Sequence, residues 1–130
     1  MNRKFDFSKV VRILNNSQIV SSIEIKDVDE VGIRGVYKIR CTLLPSKYKL
    51  EIRFVQTETE NIYSYQLFSE NPIIRWDNAP HYPKIKTYPH HFHIGESNVV
   101  ESNLTGNTIN DLQKVLIIIK DLLEGHVNSG

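Results

Sequence analysis

The sequence predicts an α+β fold: an antiparallel sheet of about five or six strands, flanked by an N-terminal helix and a C-terminal helix. Three observations predict it. Apolar residues recur at the helical spacing near both ends of the chain. Between them, apolar and polar residues alternate strictly over several segments, the signature of half-buried strands. The first of those segments are separated by short turns, at the acidic stretch before Gly32, at Pro45-Ser46 and at 57–61, as in antiparallel hairpins. The length of 130 residues fits a single domain over 1–130.

The elements follow in chain order. Residues 7–19 read as a helix, because Phe7, Val10, Val11 and Leu14 share one face. Ser8 is placed to cap it, and Asn15-Asn16-Ser17 to end it. Ile23 and Ile25 alternate with Glu24 and Lys26 as a strand, and Asp27, Asp29 and Glu30 read as an acidic turn before Gly32. Ile33, Tyr37, Ile39, Cys41 and Leu43 then share a strand face, as do Tyr48, Leu50, Ile52 and Phe54 after a turn at Pro45-Ser46. Residues 62–68 and 73–76 are further strands, and 90–94 a short one. Residues 77–88 form a loop, and Pro80, Pro83 and Pro89 exclude a regular helix there. Residues 95–107 read as a polar connection. Leu112, Val115, Leu116, Ile119, Leu122 and Leu123 give the final helix its apolar face, with Thr108 and Asp111 as a capping box and Gly125 as a stop.

The first long hairpin has a testable register. Opposed residues in an antiparallel pair have a constant sum of positions. A sum near 91 joins Cys41 to Leu50 and Ile39 to Ile52, and sets Lys38 opposite Arg53 and Arg40 opposite Glu51. The polar face then carries Arg34, Lys38, Arg40, Lys47, Lys49 and Arg53 against Glu51, six bases to one acid. Such a face is either a solvated sheet surface or a contact for a nucleic-acid backbone.

Composition narrows the class. Hydrophobic residues make up 40% and charged residues 24%, as in ordinary globular proteins rather than disordered chains. No apolar run approaches the roughly 20 residues that span a bilayer, and the start MNRKFDFSK lacks the apolar segment of a signal peptide. With Cys41 as its lone cysteine, the chain can form no internal disulfide and no Cys-rich zinc finger. These readings make a cytoplasmic location, with no membrane partner, the expectation. Cys41 alternates with core residues and reads as inert.

Four of the five histidines (His81, His90, His91 and His93) fall within residues 81–93, beside Arg75 and Asp77. On strands, His91 and His93 share a side with His90 opposite, and Arg75 pairs in the same way with Asp77. Three readings fit. The first is metal-free acid–base catalysis on a phosphodiester, with imidazoles as acid and base, Arg75 on the developing charge and Asp77 orienting a histidine. The second is a metal site made by His91-x-His93 with His81 or Asp77. The third is a proline-stiffened loop whose histidines only bond the backbone. Trp76 reads as core, and Tyr63 and Tyr65 as cross-strand packing.

The blocks Arg75-Trp76-Asp77-Asn78-Ala79-Pro80-His81 and Pro89-His90-His91-Phe92-His93 resemble the signature of the TumE-type toxins, small proteins of prokaryotic toxin–antitoxin modules. Tyr63-Ser64-Tyr65 is similar to the aromatic strand before that signature. Tyr82 stands where a second histidine is common in the family, Tyr88 where a phenylalanine is, and Arg53 near a position commonly acidic. The resemblance implies a toxin encoded beside an antitoxin with a helix-turn-helix DNA-binding part. Arg75, Asp77, His81, His90, His91 and His93 match its motif positions. The expectation is an RNA-cleaving toxin without a cofactor. His81 and one of the 90–93 histidines would exchange protons, Arg75 would bind the phosphate, and the basic hairpin face would hold the flanking backbone. The alternatives are a metal-dependent hydrolase using His81, His91 and His93, and a non-enzymatic binder of a protein partner.

Overall fold

The structure, a computed structural model, describes residues 5–128, with side chains to residue 125. Residues 1–4, part of the segment read above for a signal peptide, lie outside the described residues.

Helix α1 spans Phe7–Asn15 and buries Val10 and Leu14. Asp6, not Ser8, is its cap, accepting from the Lys9 N–H at 3.0 Å. The helix stops at Asn15 instead of running to residue 19, because Asn16 and Ser17 turn the chain through their own hydrogen bonds.

Seven strands follow, each pairing antiparallel with its sequence neighbours: β1 (Val20–Val31), β2 (Arg34–Leu43), β3 (Lys49–Gln56), β4 (Asn61–Phe68), β5 (Pro72–Asp77), β6 (His91–Ile94) and β7 (Asn98–Glu101). The hairpin β2–β3 has the register expected, with Cys41 opposite Leu50, Ile39 opposite Ile52, and Arg40 opposite Glu51. Two segments differ from the sequence reading. The acidic segment is strand and not turn: Asp27 lies opposite Lys38 and Asp29 opposite Val36, and the chain reverses only at Gly32, where φ is 61°. On an edge strand such charges keep their water, so they cost the sheet little. The stretch expected as a polar connection contains β7, made possible by the left-handed turn at Gly95 (φ 67°).

Helix α2 spans Thr108–Asn128 and continues through Gly125, which is no stop. Its cap is Asn107, whose Oδ1 accepts from the Asn110 N–H at 3.1 Å. Thr108 is the first helical residue and no cap. Asp111 is fully buried and reaches back to the N–H groups of Thr105 (3.0 Å) and Gly106 (2.8 Å).

Both helices cover one face of the sheet. Val10, Leu14, Leu112, Val115, Ile119 and Leu123 pack with Tyr37, Ile39, Leu50, Ile52, Tyr65, Leu67 and Trp76 in one core. Each such side chain stabilises the fold by roughly 1.5–3 kcal/mol relative to an exposed one. Cys41 is wholly buried there, and burial pushes its thiol up to about 12, which keeps it unreactive. The helices leave the other sheet face open, and its side chains come from the alternate positions of the same strands. No helix among the described residues is long and apolar enough to cross a membrane.

Candidate active site

The open face is ordered by register. Lys38, Arg53, Ser64, Asp77, His91 and Glu101 form one row across β2 to β7. Arg40, Glu51, Gln66, Arg75, His93 and Val99 form the next row. Strands lie about 4.8 Å apart, so Arg53 and Asp77, two strands apart, are separated by about 10 Å. The basic hairpin and the histidine cluster therefore belong to one surface.

Asp77 is the hub of that surface. Its Oδ1 accepts from the Ala79 N–H at 3.0 Å and lies 2.7 Å from His91 Nε2. Its Oδ2 lies 2.9 Å from Arg75 Nε and 3.4 Å from His93 Nε2. The Arg75 Nε contact is an ion pair without hydrogen-bond alignment. The Arg75 guanidinium instead donates from Nη2 to His93 Nε2 at 3.0 Å, which makes that nitrogen the acceptor. Burial and the neighbouring guanidinium push His93 below the usual imidazole value, against the pull of Asp77. His91 is held at both ring nitrogens, by Asp77 and by the Pro89 carbonyl at 3.0 Å, and its side chain is buried.

Asn78 fixes the chain as it leaves β5. Its Oδ1 accepts from the Tyr63 N–H at 2.9 Å, and its Nδ2 donates to the Asn61 carbonyl at 2.8 Å. The side chain thus continues the β4 ladder in place of backbone. The loop then folds back over the open face, and the Tyr82 ring meets His91 and His93 edge-on, with centroids 4.8 and 5.8 Å away.

The residues singled out in the sequence separate clearly. Arg75, Asp77, His91 and His93 are brought together. His81 is exposed, lines a cleft on this open face, and has no side-chain partner among the described residues. His90 lies apart: it faces the helix side, where its Nδ1 is 2.8 Å from the Tyr63 hydroxyl. Trp76 is core, stacked on Phe92 at 4.9 Å. The basic face is less bare than six to one. Glu51 binds Arg40 through Nε at 3.0 Å and lies 3.6 Å from Lys38. Strand β1 adds Glu24 opposite Arg40 and Asp27 opposite Lys38. Lys49 donates to Thr42 and Ser46, Arg34 lies near Glu58, and Lys47 sits in the turn over the Tyr48 ring. Arg53 alone of the six has no partner among the described residues, and it lines the cleft.

The family profile described as Toxin TumE matches residues 10–123. The chain belongs to the TumE toxin family. It is therefore the toxin of a toxin–antitoxin module, and an antitoxin is its partner. No curated protein and no solved structure matches the chain.

Two clefts flank Tyr82 in this toxin. One, of about 490 Å³, runs from Arg53 past Ser64 to His81 and His91. The other, of about 440 Å³, is bordered by His93, Glu96 and Ser97. Arg75, Gln66 and Tyr82 line both. Gln66, Ser64 and Tyr82 were not marked as site residues in the sequence. The even positions of 62–68 could have flagged Ser64 and Gln66, which alternate with buried Tyr63, Tyr65 and Leu67. A metal-capable group is also present: one ligand atom each of Asp77, His91 and His93 lies within 4.8 Å of the others. Of the two partners read from the sequence for His91-x-His93, Asp77 belongs to that group and His81 does not.

Proposed function

We propose that this toxin cleaves RNA in the cytoplasm by metal-free acid–base chemistry, with His93 and His81 on opposite sides of a phosphate held by Arg75. One observation carries the reading: Arg75 borders both clefts, His81 opens to one and His93 to the other. In-line transfer at phosphorus needs its attacking and leaving oxygens on opposite sides. A phosphate that draws the Arg75 guanidinium away frees His93 Nε2. That lone pair takes the 2′-hydroxyl proton, the 2′-oxygen attacks phosphorus, and the 5′-oxygen leaves with a proton from His81. The products are a 2′,3′-cyclic phosphate and a 5′-hydroxyl. Asp77 holds Arg75, and His91 props Asp77 without touching substrate. Arg53, unpaired at the cleft's far end, meets the flanking backbone. The antitoxin is expected to carry a helix-turn-helix part, which the neighbouring reading frame tests directly.

The experiment is RNA cleavage with and without chelator, for the wild type and for His81→Ala and His93→Ala. Each variant should lose about 10²–10⁴ in rate, and chelator should change nothing. Equal rates in all three proteins would overturn the assignment. Activity abolished by chelator would favour the metal-dependent alternative, which the proximity of Asp77, His91 and His93 supports.

A further inference from the structure

We propose that Asp77, His91 and His93 form a transition-metal site of the Zn2+ class, in competition with Arg75, and that filling it silences the cleft. The silencing rests on the function proposed above; the site itself does not.

The donor set is two imidazoles and one carboxylate, which suits Zn2+ and disfavours Mg2+ and Ca2+. Tetrahedral ligands at about 2.1 Å from zinc lie about 3.4 Å from one another. The three ligand atoms here fall within 4.8 Å, and His93 Nε2 already lies 3.4 Å from Asp77 Oδ2. The widest pair therefore has to close by at most about 1.4 Å to reach tetrahedral spacing.

The supporting contacts have the pattern of a metal centre. His91 donates from Nδ1 to the Pro89 carbonyl at 3.0 Å, which aims Nε2 at the common point. Asp77 Oδ1 is held by the Ala79 N–H, which leaves Oδ2 towards His93 and Arg75. Asp77 and His91 are buried, and the Tyr82 ring edge covers both histidines.

One cation already occupies this place. The Arg75 guanidinium bonds His93 Nε2 at 3.0 Å and lies 2.9 Å from Asp77 Oδ2. A metal ion needs the same two lone pairs, and as it takes His91 Nε2 the proton that nitrogen directs at Asp77 Oδ1 is released to solvent. Metal binding therefore expels Arg75 from the cluster and takes the nitrogen assigned to proton transfer. Guanidinium and metal are alternative counter-ions of one carboxylate. Arg75 is long and partly exposed, so it can swing out without disturbing the sheet.

Calorimetry of chelator-stripped protein with Zn2+, and separately with Mg2+, tests the site. Saturable binding of a single Zn2+ per chain is expected, with none for Mg2+. Asp77→Asn and His93→Ala each remove a direct ligand and should each weaken Zn2+ by more than about 100-fold, the upper end of what losing a supporting contact costs. His81→Ala should bind as the wild type does. Arg75→Met should bind about tenfold more tightly, because a fixed positive charge is gone. Co2+ should show the intense visible absorption of a tetrahedral centre. Circular dichroism checks the folding of each variant. Were Arg75→Met unfolded, Arg75→Lys, which keeps the charge, should bind no more tightly than wild type. Absence of saturable Zn2+ binding, loss of it in His81→Ala, or weaker binding in folded Arg75→Met would each overturn the proposal. Zn2+ should also stop RNA cleavage, with recovery on chelation; cleavage that persists at saturating Zn2+ overturns the silencing. Binding as described by a protein that cleaves no RNA in either form would refute the function above and leave the metal site standing.

Discussion

Replacing Asp77 by alanine removes its contacts to His91, the Ala79 N–H and Arg75, besides the longer one to His93. His91 Nε2, 2.7 Å away on a buried ring, loses a charge-assisted partner, at about 1.5–3 kcal/mol. The Ala79 N–H, 3.0 Å away, loses its acceptor, at about 1 kcal/mol where water can partly replace it. The Arg75 ion pair counts for less than about 1 kcal/mol, because its side chain is 41% exposed. The sum is a destabilisation of about 2.5–5 kcal/mol, or about 9–18 °C in Tm for a chain of this size. Asp77→Asn keeps an oxygen for both donors and should cost about 1–2 kcal/mol. Urea unfolding followed by circular dichroism measures both. Alanine within about 1 kcal/mol of the wild type would refute the role of Asp77 as hub. Asparagine falling as far as alanine would refute the hydrogen-bond accounting and assign the effect to charge.

Asn78→Ala breaks two bonds to β4 and should cost about 2 kcal/mol, with faster hydrogen exchange at the Tyr63 amide as its local mark. His93 has a folded-state proton affinity below the ordinary value of 6.5. The unfolded chain therefore takes up this proton first, so stability should fall as pH drops below 6.5 towards the lower folded value. His93→Gln should lose that part of the slope in unfolding measured across pH. Arg53→Glu should weaken RNA binding and reduce its salt dependence by about one phosphate contact, read by fluorescence anisotropy at several salt concentrations; an unchanged slope would remove Arg53 from the binding track.

The β2–β3 register was legible because both strands alternate over their full lengths with opposite parity, so only an odd sum buries both apolar sets. Strand β7 was not, because Asn98–Glu101 is largely exposed and carries just two apolar residues. The acidic half of β1 hid for a related reason: its charges face water at a sheet edge, and no apolar period marks it. Within the site, the separation of His91 and His93 from His90 followed from strand alternation alone. The meeting of His91 with Asp77 did not, since the long loop between them leaves the β5–β6 register unspecified by pattern. Tyr63 packs on Tyr65 at 5.5 Å, as strand alternation predicts, and its hydroxyl also holds His90, which alternation does not reveal. The hairpin pattern alone overstates the crowding of positive charge, because β1 lies beside it and sets Glu24 opposite Arg40 and Asp27 opposite Lys38.

Pairing only with sequence neighbours also shapes how the chain folds. Most reversals in the sheet close over two to five residues, whereas β5 and β6 are joined by 78–90, thirteen residues. Closing that loop costs about 1 kcal/mol more entropy than closing a four-residue one. The early hairpins can therefore zip before β6 docks, and helix α2 can seal the core only once the chain behind β7 has arrived. The ring of Asp77, His91 and His93 is then among the last features to assemble, so a partly folded chain already has its basic hairpin but not yet its histidine cleft.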